Sequence, residues 1–189
     1  MMRLWLITGN EAKLAEVKEI LSPYGIEVIK ANIEKVELQG NIEEISLRAA
    51  RLAAMEILEP VVVDDSGLYV DMLRGFPGPY SSYVYSTIGN QGLLSLLKDE
   101  RNRGASFRCA VSYVDPLLRV EKTFLGEVRG YIRYDQGKPG GFGFDPIFSP
   151  FAPNGIAFSE LSVHEKNYMS HRGQAFRKLG EYLTLAHRD

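Results

Sequence analysis

Short apolar segments alternate along this chain with segments of helical periodicity, and this alternation limits the folds that the chain can adopt. The first example is a mostly apolar stretch, residues 3–8, which meets Gly9-Asn10 and is followed by apolar residues at helical spacing over 11–21. The pattern then predicts a strand over 27–33, a helix between Asn41 and Pro60, a strand over 61–63 and a short strand over 68–72. Strand–helix alternation of this kind favours an α/β fold with parallel strand pairs near the N-terminus.

The second half of the chain adds antiparallel strands. Residues 106–114 and 120–128 read as long strands around Asp115-Pro116, which indicates a hairpin. A helix is predicted over 87–100 and a last helix over about 170–185. We therefore expect a mixed central sheet flanked by helices. No Ser/Gly/Pro-rich linker divides the 189 residues, so we expect a single domain over 1–189.

Composition excludes several classes of protein. Lys and Arg number 22 against 24 Asp and Glu, a formal charge of −2, whereas a protein held mainly by nucleic-acid phosphates carries a basic excess. Cys109 is the one cysteine, which rules out an intrachain disulfide and a Cys-based zinc site. The apolar runs fall far short of the roughly 20 residues that span a bilayer, and the N-terminus does not resemble a signal peptide. We expect a cytoplasmic enzyme that binds neither nucleic acid nor membranes.

The turn between the first strand and the first helix is a candidate phosphate site. Its residues are Thr8, Gly9, Asn10, Glu11, Ala12 and Lys13. Unpaired backbone N–H groups and the positive end of the helix dipole favour anions at such a position. Lys13 adds a positive charge in the first helical turn, although the pattern is not that of a P-loop. The alternative is an ordinary strand–helix turn with Asn10 as N-cap and a solvated Lys13.

Adjacent carboxylates after the apolar run 61–63 are candidate metal ligands. Ligands of α/β sheets gather beyond the strand ends, where the pattern places a turn Asp64-Asp65-Ser66-Gly67. Glu37, just after the second strand, is a candidate second ligand from another loop. Carboxylates from different loops beside a phosphate site are typical of Mg²⁺ binding. An ordinary acidic turn is the alternative.

A Gly/aromatic segment has the composition of a nucleobase pocket. Phe142 and Phe144 alternate with glycines that include Gly143, and Asp145 follows them. Aromatic rings stack on purines, and a carboxylate can read a base edge. The alternative is a glycine-rich turn whose aromatic side chains fill the core.

A basic segment precedes the last predicted helix. Lys166, His171 and Arg172 lie within seven residues at its start and offer hydrogen-bond donors to carbonyl or phosphate oxygens. A capped helix start with a solvated basic turn is the alternative. A Ser–His–Asp hydrolase is a weaker hypothesis, because the chain has no G-x-S-x-G motif and no histidine is distinctively placed to activate Ser66.

These segments occur in the order of one known family. The motifs TGN-x-x-K, E-x-Q-G, D-D-S-G, G-x-P-G-x-Y, G-F-G-F-D-P and E-K-N-x-x-S-H-R follow one another between Thr8 and Lys178, and their order resembles the inosine triphosphate pyrophosphatases. Each motif alone is weak, whereas their order and spacing together are specific. The resemblance implies an elongated mixed sheet, two lobes with the active-site cleft between them, and a homodimer. It also implies Mg²⁺-assisted hydrolysis of non-standard purine nucleoside triphosphates (ITP, dITP and XTP) to the monophosphate and pyrophosphate.

The resemblance also implies a role for each candidate residue. Glu37 and Asp65 would hold Mg²⁺, and Asp65 would accept a proton from the attacking water. The triphosphate would bind to the turn 8–13, and Ser66 would contact the nucleotide. The base and sugar wall and the groups that read the base would be Phe142, Gly143, Phe144, Asp145, Lys166, His171 and Arg172.

Two positions depart from the family pattern. Some relatives carry a lysine where this chain has Ala49, and some carry a cation where Ser81-Ser82 follow Tyr80. These departures concern side contacts to phosphate and not the reaction class. Two other functions stay open: a pyrophosphatase for a pyrimidine or modified nucleotide, and a non-catalytic nucleotide- or RNA-binding module.

Overall fold

The computed structural model describes residues 2–33, 38–152 and 155–186. The strands are β1 (Met2–Leu6), β2 (Ile26–Lys30), β3 (Val61–Val70), β4 (Pro77–Gly78), β5 (Gly104–Asp115), β6 (Val120–Ile132) and β7 (Phe148–Pro150). The helices are α1 (Glu11–Leu21), α2 (Ile42–Ile57), α3 (Ser81–Thr87), α4 (Gly89–Leu96), α5 (Val163–Met169) and α6 (His171–Ala186).

One mixed sheet joins these strands in the order β2-β1-β3-β5-β6-β7, and β4 pairs with β3 outside that path. β1 pairs in parallel with β2 and β3, whereas the pairs β3–β5, β5–β6 and β6–β7 are antiparallel. The predicted mixed α/β sheet flanked by helices is therefore confirmed. The hairpin predicted around Asp115-Pro116 is present as β5 and β6.

One edge of β3 is left uncovered at its middle. β5 pairs with the opposite edge along the whole strand, from Val61 to Val70. On the edge in question, β1 pairs only as far as Val62, and β4 pairs only with Leu68 and Tyr69. Within the described ranges, no strand covers this edge between those two contacts. Residues 63–67 therefore form the floor of a cleft.

Helices cover both faces of the sheet with separate apolar clusters. α1 and α6 pack on one face, in a cluster that includes Val62 and Phe176. α2 packs on the other face, in a cluster that includes Val63 and Ala50. A third cluster around Leu68 joins the far end of β3 to α4 and β7. Among the described residues, no helix is long and apolar enough to cross a membrane.

Two glycines allow the close approaches that shape the cleft. A Cβ on Gly126 in β6 would lie 2.0 Å from the carbonyl oxygen of His171, so this glycine lets α6 begin directly against the sheet. A Cβ on Gly67 would lie 2.1 Å from the carbonyl oxygen of Gly78, so β4 can lie this close to β3 only because residue 67 is a glycine.

Some predictions about the elements were wrong. Residues 64–67, predicted as a turn, and residues 68–70 of the stretch predicted as a separate strand belong to β3, which continues to Val70 because β5 pairs through the acidic residues. The helix predicted over 87–100 is present in shorter form as α4, and the preceding helix α3, which meets it at Gly89 in the left-handed region (φ 61°), was not predicted. Lys166 lies on α5, a separate short helix, and not at the start of the last helix.

Candidate active site

A cleft of about 480 Å³ opens over the uncovered edge of β3. Segments from across the chain meet there. The lining residues come from the β1–α1 turn (Ile7, Thr8, Gly9, Asn10, Lys13), from β3 (Asp64, Asp65, Ser66, Gly67), from the β4–α3 region (Pro79, Ser81, Ser82, Tyr85), from β5 (Phe107), from the loop before β7 (Phe142, Gly143, Phe144, Asp145) and from α5 and α6 (Lys166, His171, Arg172).

The β1–α1 turn is held in shape by its own side chains. Asn10 is the N-cap of α1, and its Oδ1 accepts a hydrogen bond from the backbone N–H of Lys13 at 3.1 Å. The hydroxyl of Thr8 accepts one from the backbone N–H of Asn10 at 3.1 Å. These bonds fix the start of the helix, where the positive end of its dipole faces the cleft. Lys13 extends from the same turn and places its Nζ 3.0 Å from Asp64 Oδ2.

Asp64 and Asp65 project from opposite faces of β3, because successive side chains of a strand alternate. Asp64 follows Val62 on the face covered by α1 and α6, and it is 1 % exposed. Asp65 follows Val63 on the face covered by α2, is half-buried, and lines the cleft. A ligand that lies across the uncovered strand edge can therefore meet groups on both faces of the sheet.

Lys166 and Arg172 meet three buried carboxylates at the cleft, those of Glu16, Asp64 and Asp145. Lys166 Nζ lies 3.0 Å from Glu16 Oε1 and 2.7 Å from Asp145 Oδ2. Arg172 donates from Nη1 to Glu16 at 2.6 Å, from Nε to Asp64 at 3.3 Å and from Nη2 to the Ser66 hydroxyl at 3.2 Å.

This ion-pair network balances its charges. The cations of Lys13, Lys166 and Arg172 face the carboxylates of Glu16, Asp64 and Asp145. Burying unpaired charge would be unfavourable, and the balance explains how so many ionised groups are accommodated beneath one cleft.

The network changes the acidity of its members. Burial alone would raise the pKa of Glu16, but the nearby cations of Arg172 and Lys166 hold it below its ordinary value. Burial would lower the pKa of Arg172, whereas the carboxylates of Asp64 and Glu16 raise it above its ordinary value. Both groups are therefore charged at neutral pH, and Arg172 keeps a fixed orientation.

Helix caps position the two cations. Ser162 and Glu165 form a reciprocal cap at the start of α5: the Ser162 hydroxyl accepts from the Glu165 backbone N–H at 3.2 Å, and the Glu165 carboxylate accepts from the Ser162 backbone N–H at 2.9 Å. At the start of α6 the Ser170 hydroxyl accepts from the backbone N–H of Gly173 at 3.0 Å. These caps set where Lys166 and Arg172 leave their helices.

The loop before β7 is closed by a hydrogen bond from the backbone N–H of Phe142 to Asp145 Oδ2, 2.9 Å long. The Phe142 ring lies under both cations, 4.7 Å from Lys166 Nζ and 5.1 Å from the Arg172 guanidinium carbon. Phe144 is only 3 % exposed and packs in the third apolar cluster, although it borders the cleft. The two aromatic residues of the motif therefore have different surroundings.

His171 is a neutral donor or acceptor at the cleft. It is 4 % exposed, and its ring stacks on Phe107 with centroids 4.9 Å apart. Burial, together with the cations of Arg172 and Lys166, lowers its pKa well below the ordinary value. Within the described ranges its Nδ1 is buried and has no hydrogen-bond partner. A ligand that reaches this nitrogen would satisfy it.

The described residues supply one carboxylate suited to Mg²⁺. Asp64 already faces Lys13 and Arg172, whereas Asp65 borders the cleft beside the phosphate turn. No group of three or more His, Cys, Asp or Glu side chains in residues 2–33, 38–152 and 155–186 could hold a metal ion. Mg²⁺ is commonly bound by one or two carboxylates plus substrate phosphates and waters, so Asp65 fits that pattern. Glu37, the predicted second ligand, lies outside the described residues.

Most of the predicted site residues meet at this cleft. Those that line it are Thr8, Gly9, Asn10, Lys13, Asp65, Ser66, Phe142, Gly143, Phe144, Asp145, Lys166, His171 and Arg172. Glu11 and Ala12 are not among the lining residues, because successive residues of a helix are rotated by about 100° and these two point away from the cleft; Glu11 pairs with Lys30 on the surface. Of the two departures, Ala49 is a buried residue of α2, and Ser81 and Ser82 line the cleft.

Glu16 and Tyr85 are among the residues of this region that sequence reasoning missed. Glu16 sits among the apolar positions of α1, and an acid on an otherwise buried helix face is the signal that could have identified it. Tyr85 lines the cleft from α3, a helix that the periodicity did not predict.

Comparisons with known proteins agree with this arrangement. The sequence profile of the Ham1 family matches residues 4–182. The chain is 46% identical over 182 residues to a dITP/XTP pyrophosphatase of Methanopyrus kandleri, covering 96% of each chain. It is 47% identical over 184 residues to a dITP/XTP pyrophosphatase of Pyrobaculum aerophilum, covering 97% of each.

Solved structures show the same fold. The Ham1 protein of Staphylococcus aureus superposes with a TM-score of 0.82 at 29% identity, covering 96% of this chain and 97% of that one. A HAM1 protein from Coxiella burnetii superposes with a TM-score of 0.83 at 32% identity, covering 97% of this chain and 99% of that one. On these grounds the chain belongs to the Ham1 family.

Proposed function

We propose that this protein hydrolyses the non-standard purine nucleoside triphosphates ITP, dITP and XTP to the nucleoside monophosphate and pyrophosphate. The observation that carries the proposal is the single cleft that joins a capped helix N-terminus bearing Lys13 to the buried pair Lys166 and Arg172. The first element suits a polyphosphate, and the second suits a base rich in acceptors. The relatives named dITP/XTP pyrophosphatase support the same activity.

The polyphosphate is proposed to bind at the β1–α1 turn. The backbone N–H groups at the start of α1 and the Lys13 ammonium would offset the negative charge that develops on departing pyrophosphate. Asp64 holds Lys13 at 3.0 Å and so acts as a positioning residue for it.

Asp65 is proposed to accept the proton of the attacking water. The water oxygen forms a bond to the α-phosphorus as the bond from that phosphorus to the bridging oxygen of pyrophosphate breaks. The half-buried carboxylate borders the cleft on the face of the sheet opposite Asp64, within reach of a ligand that lies across the uncovered edge of β3. A positioned general base of this kind contributes roughly 10²–10⁴-fold to a rate.

Mg²⁺ is the proposed cofactor, held by Asp65 and by Glu37. When bound, it would supply positive charge to the phosphate oxygens during hydrolysis. Asp65 suits this role because its carboxylate reaches the same cleft as the phosphate turn.

Selectivity for the base is proposed to come from donors facing the six-position oxygen. Arg172 donates to Glu16, Asp64 and Ser66, which fixes its guanidinium in the wall of the cleft that the base would enter. An amine at that position, as in adenine, would leave the donors of the protein without an acceptor and the N–H groups of the amine without one as well. Mismatches of this type can discriminate by up to about 10⁴-fold.

The chain is proposed to act as one catalytic domain over 1–189 with a lobe on each side of the cleft. We also propose a homodimer in the cytoplasm. Two large apolar side chains support a subunit contact, because Met55 is 75% exposed and Leu117 is 76% exposed. Met55 and Pro116, the residue before Leu117, line a second hollow on the surface. Light scattering of the purified protein tests the dimer.

A pyrophosphate-release assay tests the function. ITP, XTP, dITP, GTP and ATP are compared with and without Mg²⁺. We expect rapid release from ITP, dITP and XTP, slow release from ATP, and loss of activity on chelation, and the rate with GTP shows whether the site also distinguishes bases by their two-position. The panel also includes a pyrimidine and a modified nucleoside triphosphate. Faster pyrophosphate release from one of these would show that the substrate is not a non-standard purine nucleotide. Nucleotide binding without pyrophosphate release from any nucleotide would show that the protein is a binding module and not an enzyme.

A further inference from the structure

Tyr85 presents an exposed aromatic ring to the cleft. It is 44% exposed and lines the cleft from α3. The rings predicted to face the base are less available: Phe144 is 3 % exposed, and Phe142 is half-buried beneath two cations. Of these three rings, Tyr85 therefore has the most surface left for a ligand.

Tyr85 packs against the loop before β7, residues 142–145, which borders the cleft beside Lys166. Its ring meets Phe144 edge to face, with centroids 5.5 Å apart and planes at 85°. A few residues later, Asn90 Nδ2 donates to the carbonyl oxygen of Gly143 at 3.4 Å. The helices α3 and α4 thus hold this loop at two points. Tyr85 therefore lies beside residues 142–145, the segment of the cleft wall whose Asp145 contacts Lys166.

The packing of α3 turns Tyr85 toward the cleft and Tyr83 away from it. Val84 is 5% exposed and anchors the helix in the third apolar cluster. Tyr85 lies one turn after Ser81, another lining residue, whereas Tyr83 lies roughly 160° around the helix axis from Tyr85. Tyr83 is 70% exposed and does not line the cleft. The two tyrosines form a matched pair, one at the cleft and one outside it.

We propose that Tyr85 is a further substrate-contacting residue whose ring packs against the nucleoside half, base and ribose, of the purine nucleotide. This inference rests on the proposed function and deepens it. An aromatic face stacks on any flat base and adds affinity without reading its edge. Lys166 and Arg172 would then select the base through hydrogen bonds, and Tyr85 would add affinity for the nucleoside.

The test compares the variants Tyr85→Ala, Tyr85→Phe and Tyr83→Ala. Calorimetry measures binding of inosine monophosphate and, separately, of inorganic tripolyphosphate, and ITP kinetics give KM and kcat. We expect Tyr85→Ala to weaken inosine monophosphate binding and to raise KM by about tenfold, with tripolyphosphate binding unchanged. Tyr83→Ala should match the unmodified protein, and Tyr85→Phe, which keeps the ring, should retain most of the inosine monophosphate binding that Tyr85→Ala loses. If the Tyr85→Ala variant melts at a lower temperature than the unmodified protein, the comparison uses Tyr85→Leu, which removes the ring but keeps an apolar contact with Phe144.

The outcomes separate this inference from the function on which it rests. Unchanged inosine monophosphate binding in Tyr85→Ala, or an equal loss of tripolyphosphate binding, would overturn the role of Tyr85. A loss in Tyr83→Ala as large as in Tyr85→Ala would also overturn it, because the effect would then belong to the helix. Failure of the unmodified protein to release pyrophosphate from ITP would instead count against the proposed function.

Discussion

Asp64 and Asp65 are neighbours in β3, yet their carboxylates leave opposite faces of the sheet and meet different surroundings. Asp64 is 1 % exposed and lies 3.0 Å from Lys13 Nζ and 3.3 Å from Arg172 Nε. Asp65 is half-buried and borders the cleft on the side of α2. Neutralising one of them should therefore affect chemistry, and neutralising the other should affect stability.

Asp65→Asn is expected to reduce turnover of ITP by at least about 100-fold, because the amide cannot accept the proton of the attacking water. Its half-buried position predicts little change in the melting temperature. Pyrophosphate release and thermal unfolding measure the two effects. Near-normal turnover would remove Asp65 from the mechanism.

Asp64→Asn is expected to lower the free energy of unfolding by about 3 kcal/mol, because Lys13 and Arg172 lose a buried counter-charge. Chemical denaturation measures the change, and Asp65→Asn is the matched control. A variant as stable as the unmodified protein would mean that the ion pairs of Asp64 contribute nothing net to the fold.

Lys13→Ala is expected to weaken binding of inorganic tripolyphosphate by about tenfold or more and to leave binding of inosine monophosphate nearly unchanged, since Lys13 extends from the phosphate turn. Calorimetry with each ligand checks this. Lys30→Ala serves as control, because Lys30 pairs with Glu11 on the surface. Equal losses for both ligands would show that Lys13 does not act on the polyphosphate.

Arg172→Lys is expected to lower kcat/KM for ITP by about tenfold or more while changing that for ATP much less. Lysine keeps the positive charge facing Glu16 and Asp64 but loses the planar fork that presents donors to a carbonyl. The ratio of the two kcat/KM values is the measurement, with the exposed Arg48→Lys as control. An unchanged ratio would exclude Arg172 from base selection.

Because His171 is buried in its neutral form, we expect the protein to become less stable as the pH is lowered. Its pKa is lowered in the folded protein by burial, so below the ordinary value of 6.5 the unfolded chain takes up a proton that the folded chain resists. The free energy of unfolding should therefore fall as the pH drops from 7 through about 6.5, by at most about 1.4 kcal/mol per pH unit.

His171→Gln should remove this part of the slope, and His164→Gln, at an exposed position, should keep it. Denaturant titrations at several pH values between about 7 and 5 provide the comparison. An identical slope in His171→Gln would assign the pH dependence to other groups.

Local signals predicted part of this fold well. The bounds of α1 follow from an N-cap at Asn10 and from Pro23 just beyond the last turn, and both act over a few residues. The β5–β6 hairpin was predictable for the same reason. The turn 8–13 could be predicted as a candidate phosphate site because its chemistry depends on the start of one helix.

The remaining features depend on partners that are distant in the sequence. Two acids normally interrupt a strand pattern, and β3 continues through them because β5 pairs with its far edge and because cations from α1 and α6 compensate Asp64. Glu16 contacts Lys166 across 150 positions, so no local pattern can reveal the pair. The short helices α3 and α5 lack the length over which helical periodicity becomes recognisable.

The uncovered edge of β3 has a consequence beyond catalysis. An exposed strand edge can accept a strand from a neighbouring molecule and so initiate aggregation. Here the gap between Val62 and Leu68 is short and recessed, and it carries two carboxylates that a docking strand would have to remove from water. We therefore expect Asp64 and Asp65 to hinder the addition of a strand at this edge, so variants that neutralise both should aggregate at lower protein concentration.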